Sequence, residues 1–407
     1  MLDERGLRHP AGAAAGPVAP SDRIAAIDIV RGIALFGVMA INVVTVFRVS
    51  IFERFLPARY LPIRPDDSWL DRALEPILMI ALDLKALALF SLLFGVGLAI
   101  QHDHLAADSR RATLLVRRLA FLMLVGLAHL VLVWNGDILF EYAIAGFIVL
   151  PILFLSSRAA AIAGTALLAV FIVSSFLPMI VAMPSRAWMA RNVEDAVQIY
   201  GSGSFADVLA FRVHELPGFL PLHVSIFPRT LALMLIGAAL WRAGVFQTGS
   251  RASRYLLPAA VIGIGAGGVL SAAHENGWLG LDWRADLALE RVGTVLLAGG
   301  YGAAIVLAAD RPLGWKLLAW AAPVGRMAFT NYLLQSVIFG WLFYGYGLGL
   351  FGKLGVADAL AIGIAVYVLQ GAFSAWWLKR YLFGPVEWLW RSAMYGKRHP
   401  FLRGTAT

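Results

Sequence analysis

The sequence predicts an all-α, polytopic transmembrane helical bundle of about ten spans, with both termini inside. Three observations predict it. Of 407 residues, 60% are hydrophobic and only 14% are charged, against roughly a quarter charged in soluble domains. Mean hydropathy is +0.76, too apolar for a chain that must cover its surface with polar groups. Apolar stretches of the length that crosses about 30 Å of hydrocarbon recur along the chain. The absence of cysteine excludes disulfides, thiolate metal sites, a cysteine nucleophile and thioether-attached haem. The net charge of +9 reads as the cytoplasmic excess of Lys and Arg in a membrane protein, not as a nucleic-acid footprint.

Residues 1–22, rich in Ala, Gly and Pro, read as a disordered cytosolic tail and not as a cleavable signal. Spans follow near 27–47, 84–101, 114–134, 138–155, 159–182, 225–246, 255–273, 288–309, 323–345 and 356–378. The fairly apolar 69–83 reads as the outer part of a longer second helix. Pro, Gly and charge mark breaks at 48–68 and 183–224. The second break reads as an extracytoplasmic loop with amphipathic segments, between an N-terminal half at 23–182 and a C-terminal half at 225–400. With the N-terminus inside, the inner segments hold 19 Lys/Arg and 7 Asp/Glu, the outer ones 13 and 17. Positive charge marks the cytoplasmic side, so the count favours both termini inside.

Ionisable and amide side chains within spans are costly unless paired or lining a wet cavity, which makes each a candidate for function. The first span carries Asp28, Arg31 and Asn42. Asp28 and Arg31 share a face and can pair. Arg31 and Asn42 lie about 16 Å apart along one stripe of a helix. The third span repeats the arrangement with Arg117, Arg118 and, eleven residues beyond Arg118, His129. Neutral imidazole can take a proton near neutral pH, as a general base must. Gly136 breaks the chain just before Asp137, and a fold back there would bring that carboxylate round to orient the imidazole. The ninth span holds Arg326, Thr330, Asn331 and Gln335, the densest polar patch in any span. Guanidinium groups suit phosphate, so Arg31, Arg118 and Arg326, with Arg117, are candidates for a cytosol-facing anion site.

Other features read as structural. Ser91 and Gly95, and the glycines at 263, 265, 267 and 268, suit close helix packing. Gly347-x-Gly349-x-x-Gly352 follows no strand, so it is no dinucleotide loop. There is no Walker loop and no metal-ligand spacing. Gly384-Pro385-Val386-Glu387-Trp388-Leu389-Trp390-Arg391 reads as an interfacial anchor with a Glu387–Arg391 pair.

Taken in order, Asp28-x-x-Arg31-Gly32 to Asn42, Phe90-Ser-Leu-Leu-Phe-Gly95, His129 with Gly136-Asp137, Gly325-Arg326-Met-Ala-x-Thr330-Asn331-Tyr332 and Gly384-Pro-x-Glu387-Trp-x-Trp-Arg391 resemble the YeiB-like bacterial membrane proteins. Their C-terminal half is catalogued as domain of unknown function 418. The resemblance runs from about residue 23 to 400 and implies a multi-pass protein of the bacterial inner membrane.

More distantly, the first span is similar to that of membrane acyltransferases, including heparan glucosaminide acetyltransferase and the O-antigen acetylases. That resemblance implies acyl-CoA as donor, acetyl-CoA foremost, and a sugar or lipid-linked glycan acceptor across the membrane. The O-antigen acetylases carry Arg, ten residues, then His, where this chain has Arg31 and Asn42. The heparan branch has Asn there, but its His before the second span has no counterpart near 69–85. Asn cannot act as a base, so His129 takes that role on geometry.

The leading expectation is therefore a transmembrane acyltransferase. Arg31, Arg118 and Arg326 would hold phosphates, Asn42, Thr330, Asn331 and Gln335 would line the path, and His129 with Asp137 would be catalytic. A small-molecule transporter or exporter is the alternative, and a non-catalytic assembly factor or sensor the third. Lipid is the expected surrounding. Metal and nucleic acid are not expected, and self-association into a homo-oligomer is left open.

Overall fold

A computed structural model describes residues 25–62, 68–247 and 251–403. The expected disordered tail at 1–22 lies outside the described residues. Fifteen α-helices account for the described chain, with one isolated bridge between Tyr381 and Leu402. They are α1 (Ala25–Asn42), α2 (Trp69–Ala81), α3 (Lys85–His104), α4 (Arg111–Leu132), α5 (Leu139–Leu155), α6 (Ser157–Val173), α7 (Arg186–Ser202) and α8 (Phe205–Arg242). Then come α9 (Leu256–Glu275), α10 (Trp283–Ala309), α11 (Pro312–Leu318), α12 (Ala321–Arg326), α13 (Ala328–Phe343), α14 (Val356–Arg380) and α15 (Pro385–Tyr395). Among the described residues eight helical segments are long and apolar enough to cross a membrane, and the shorter apolar helices α5 and α13 take the remaining two predicted spans. The fold is thus the expected all-α polytopic bundle. Below, the inner end is that of Arg31 and the outer end that of His129.

Three boundaries differ from the sequence reading, each for a physical reason. The helix expected from 225 begins at Phe205, started by a capping box in which Ser204 and Asp207 satisfy each other's backbone N–H groups. Asp207, Arg212, His214 and Glu215 lower the apolarity of its first turns and hide them from a hydropathy reading. The second helix is two: Leu84 adopts a left-handed conformation, φ 58°, between α2 and α3. Arg54 forks the Asp83 carboxylate beside that break at 3.2 and 2.6 Å. The ninth span divides at Met327 into α12 and α13.

Close approach is set by glycine. A Cβ on Gly325 would overlap the Asp28 carbonyl, and one on Gly32 the Ala321 carbonyl, so α1 and α12 touch backbone to backbone. Gly95 and Gly237 do the same for α3 and α8, and Gly263 and Gly267 for α9 and α10. Dispersion and small residues hold helices together in lipid, where water cannot drive them. Gly265 and Gly268 have no neighbour within 4 Å, so only half of the expected glycine contact forms. Gly349 and Gly352, at φ 62° and 72°, turn the chain between α13 and α14. One hydrophobic cluster runs from Leu35 of α1 through Trp134 to Tyr367 of α14, so both halves of the chain share a core.

Candidate functional site

At the inner end, α1, α3, α4, α5, α12, α13 and α15 enclose a cavity of about 240 Å³. Arg31, Arg118, Arg326 and Arg391 all line it, with Asp28 and Glu387. Asp28 accepts from Arg31 Nη1 at 3.1 Å, the pair expected from their spacing. Arg118 is buried. Its Nη1 donates to the Gly97 carbonyl at 3.2 Å and to Gln101 Oε1. Its plane lies 4.6 Å from the Trp390 ring and 5.7 Å from that of Phe94. The Nη2 atoms of Arg118 and Arg31 both come within 4 Å of the point where a Gly97 Cβ would stand, at 3.8 and 3.9 Å. Two guanidinium groups thus converge on a residue with no side chain, and Arg391 adds its field to Arg118. This is a cationic mouth with room left beside it. Arg117 is not among the lining residues; its Nη1 lies near Gly396.

Past the arginines the lining turns apolar: Leu35 and Val38, Phe90 and Leu93, then Ile138, Leu139, Tyr142 and Tyr332. From Ile27 to Val38 the cavity follows α1 for about 16 Å at 1.5 Å per residue. Ile138 and Leu139 begin α5 at the outer end, directly after Asp137.

Behind that floor stands His129, in the last turn of α4 and 3% exposed. Its Nδ1 lies 2.8 Å from Asp137 Oδ1, an arrangement that suits an Nδ1–H donor and, in the neutral ring, puts the lone pair on Nε2. Nε2 is buried and meets no hydrogen-bond partner among the described residues. The chain reverses at Gly136 to bring Asp137 back, and Asp137 Oδ2 also accepts the Phe140 N–H at 2.8 Å, capping α5. The Tyr332 ring lies 5.4 Å from the imidazole. The Tyr332 hydroxyl reaches Asp137 Oδ1 at 3.5 Å and accepts from the Ile138 N–H at 3.4 Å. Tyr332 therefore stands between the cavity, which it lines, and the His–Asp pair.

The turn carrying Asp137 is clamped from both sides. Trp134 stacks on Phe47 at 4.7 Å. Asn135 Nδ2 donates to Glu215 Oε2 at 2.9 Å, and the Tyr200 hydroxyl donates to the same carboxylate. α7 and α8 thus hold the turn from the outer end.

The expected path residues lie elsewhere. Asn331 Nδ2 donates to Ser374 Oγ at 3.0 Å and to the Val324 carbonyl at 3.3 Å. Gln335 Nε2 donates to Gln370 Oε1 at 2.8 Å. Both bind α13 to α14, and neither lines the cavity. Asn42 is half-buried where α1 gives way to a π turn, also away from the lining. Thr330 Oγ1 donates to Glu387 Oε2 at 2.5 Å, while the Phe329 and Thr330 N–H groups donate to Oε1 at 2.8 and 3.1 Å. Glu387, read as half of a surface pair with Arg391, instead caps α13 and docks α15. Burial raises its carboxyl above the ordinary range, and the Thr330 hydroxyl and backbone N–H groups pull it back.

The anchor segment so becomes a wall of the site, supplying Trp390 and Arg391. No local signal in the sequence tied it to the cavity. Glu387→Gln leaves one of these buried donors without its carboxylate oxygen and should lower unfolding stability by about 1–3 kcal/mol. Denaturant unfolding of the purified protein in micelles checks it, and an unchanged midpoint would refute the capping role.

Comparison with known proteins places the chain among relatives of unassigned activity. The family described as "Protein of unknown function (DUF418)" matches residues 240–397. The chain is 30% identical over 409 residues to the uncharacterized protein YxaH of Bacillus subtilis (strain 168), covering 96% of this chain and 98% of that one. It is 30% identical over 404 residues to the uncharacterized protein YeiB of Escherichia coli (strain K12), covering 95% and 100%. It is 26% identical over 392 residues to an uncharacterized 39.9 kDa protein from the amylase 3' region of Bacillus acidopullulyticus, covering 95% and 98%. No solved structure matches.

Proposed function

Since the chain belongs to the YeiB-like DUF418 family and is built as a multi-pass helical bundle, we propose that it is a transmembrane acyltransferase. It takes an acyl group from acyl-CoA at the inner end and passes it to a hydroxyl of a sugar or lipid-linked glycan at the outer end. One observation supports this reading: a single cavity is lined at one end by four arginines and at the other by Ile138 and Leu139, beside the turn that presents the His129–Asp137 pair. A long ligand with an anionic head and a thin arm fits that shape. Phosphates belong with Arg31, Arg118, Arg326 and Arg391, whose guanidinium forks match them. The pantetheine arm belongs along the apolar wall of Leu35, Val38, Phe90 and Leu93.

The chemistry assigned to the outer end is general-base catalysis. His129 Nε2 accepts the proton of the acceptor hydroxyl as its oxygen attacks the thioester carbonyl carbon. The carbon–sulfur bond then breaks, and the departing thiolate takes the proton back from the imidazolium. Asp137 holds the Nδ1–H tautomer and offsets the charge that forms on the ring. Tyr332 must turn aside for the thioester to reach Nε2, which makes it the barrier between donor and base.

Equilibrium binding of acetyl-CoA to the purified protein tests the reading. Removal of a guanidinium that bonds phosphate forfeits about 1.5–3 kcal/mol, so Arg31→Ala and Arg326→Ala should each weaken binding about 10–100-fold. No measurable acetyl-CoA binding, or affinity indifferent to both substitutions, would sink it.

A further inference from the structure

The outer half of the bundle holds a second group of buried charges, which acyl transfer as proposed leaves unused. It lies where α8 packs on α3 and α5, and α3 on α10. Arg229 of α8 is at its centre and wholly buried. None of its three nitrogens, Nε, Nη1 or Nη2, meets an acceptor among the described residues. A buried guanidinium is costly unless its donors are satisfied. Thr294 Oγ1, one turn after Glu290 on α10, is a second buried polar atom without a partner among them.

The charged groups facing Arg229 are Glu141, Glu290 and Asp83, together with the Tyr142 hydroxyl. Each carboxylate has another partner. Arg54 forks Asp83. His223 Nδ1 donates to Glu141 Oε2 at 2.8 Å, and Thr230 Oγ1 donates to Oε1 at 2.7 Å. Glu290 faces Lys85 and His274 as well as Arg229. The other buried cation nearby, Arg291, donates to the Phe171 carbonyl, to Ser174 Oγ at 2.7 Å and to Ser225 Oγ at 3.1 Å. In this set Arg229 is the cation left without a bonded partner.

We propose that Arg229 anchors a binding site for a small carboxylate, entered from the outer end. The planar fork of guanidinium matches the two oxygens of a carboxylate. Charge favours a monoanion: one negative charge balances Arg229, whereas dianionic phosphate would bring a second, unbalanced charge among Glu141, Glu290 and Asp83. His223, with 30% of its side chain exposed, marks the side of entry. The site stands apart from the acyl-donor reading. Of the residues named for it, Tyr142 alone lines the arginine cavity, and it separates the two. Where both sites operate, the carboxylate is a feature of the acceptor.

The test is thermal unfolding of the full chain in micelles, followed by tryptophan fluorescence, with sodium acetate against sodium chloride at equal ionic strength. Acetate should raise the midpoint by about 2 °C more than chloride and increasingly with concentration. Arg118→Gln should keep that difference and Arg229→Gln should lose it. Equal effects of the two salts on the wild type, or an undiminished acetate effect in Arg229→Gln, overturns the proposal. If Arg229→Gln does not fold, equilibrium dialysis of labelled acetate against the Arg118→Gln protein decides. One acetate per chain, displaced by propionate and not by inorganic phosphate, supports the site. No acetate bound, or displacement by phosphate at equal concentration, overturns it. Acetyl-CoA binding is unaffected by this outcome, so failure here is distinguishable from failure of the donor site.

Discussion

Replacing His129 with Gln should lower the rate of acyl transfer about 10²–10⁴-fold, the usual contribution of a positioned general base, while acetyl-CoA still binds. On the proposed reading, donor and base are held by different parts of the bundle: the arginines line the inner end of the cavity, and the imidazole sits behind Tyr332. The loss should therefore fall on kcat and leave KM for the donor nearly unchanged.

Asp137→Asn gives a sharper version of the same result. An amide in place of the carboxylate can turn an N–H toward His129 Nδ1, and the ring then carries its proton on Nε2. The lone pair then leaves the atom that accepts the acceptor's proton in the proposed mechanism. The substituted side chain can still accept the Phe140 N–H, so unfolding stability should move far less than the rate. Single-turnover release of CoA thiol, measured beside donor affinity, separates the two quantities. Full activity in either variant would remove the His–Asp pair from the mechanism.

Gly325→Ala should be the most damaging methyl group that can be added at the inner end. The new Cβ falls on the Asp28 carbonyl, with the Gly32 N–H close by. Both obstacles are helix backbone, so no side chain can rotate out of the way, and α12 must move off α1. Overpacking of this kind costs about 3 kcal/mol. Because Arg31 and Arg326 stand on the two helices being separated, donor binding should fall together with stability. Gly265→Ala is the matched control: it adds the same methyl to another apolar helix, where nothing lies within 4 Å. Unfolding midpoints of the two variants in the same detergent check the contrast, and equal midpoints would refute the backbone-contact account of this joint.

What could be read in the sequence was what is local. The spans were legible because apolar length is a property of consecutive residues. Asp28 with Arg31 was legible from a three-residue spacing, and Asp137 with His129 from a short turn broken by Gly136. Arg31, Arg118 and Arg326 were each legible as lying near the same membrane surface; that they line one cavity is visible only in the fold.

What stayed hidden depends on partners far along the chain. Asn331 and Gln335 share a stripe whichever helix covers it. Only the fold shows that α14 does, with Gln370 and Ser374 taking up their hydrogen bonds. His223 meets Glu141 across 82 residues, and Thr330 meets Glu387 across 57. Hydropathy also misplaced the start of α8, because Glu215, a charge in any local window, takes a hydrogen bond from Asn135, 80 residues away.

The docking of α15 through Glu387 has a consequence for how the protein is made. Trp390 and Arg391 belong to α15, which the ribosome delivers after α1 to α14. A nascent chain can have α1 to α14 inserted and still lack one wall of the arginine cavity and the cap on α13. Insertion into the bilayer and competence to bind are therefore separate events in biogenesis. The second waits for synthesis to pass residue 391, so a chain stalled or clipped after α14 would be inserted and yet have its mouth open.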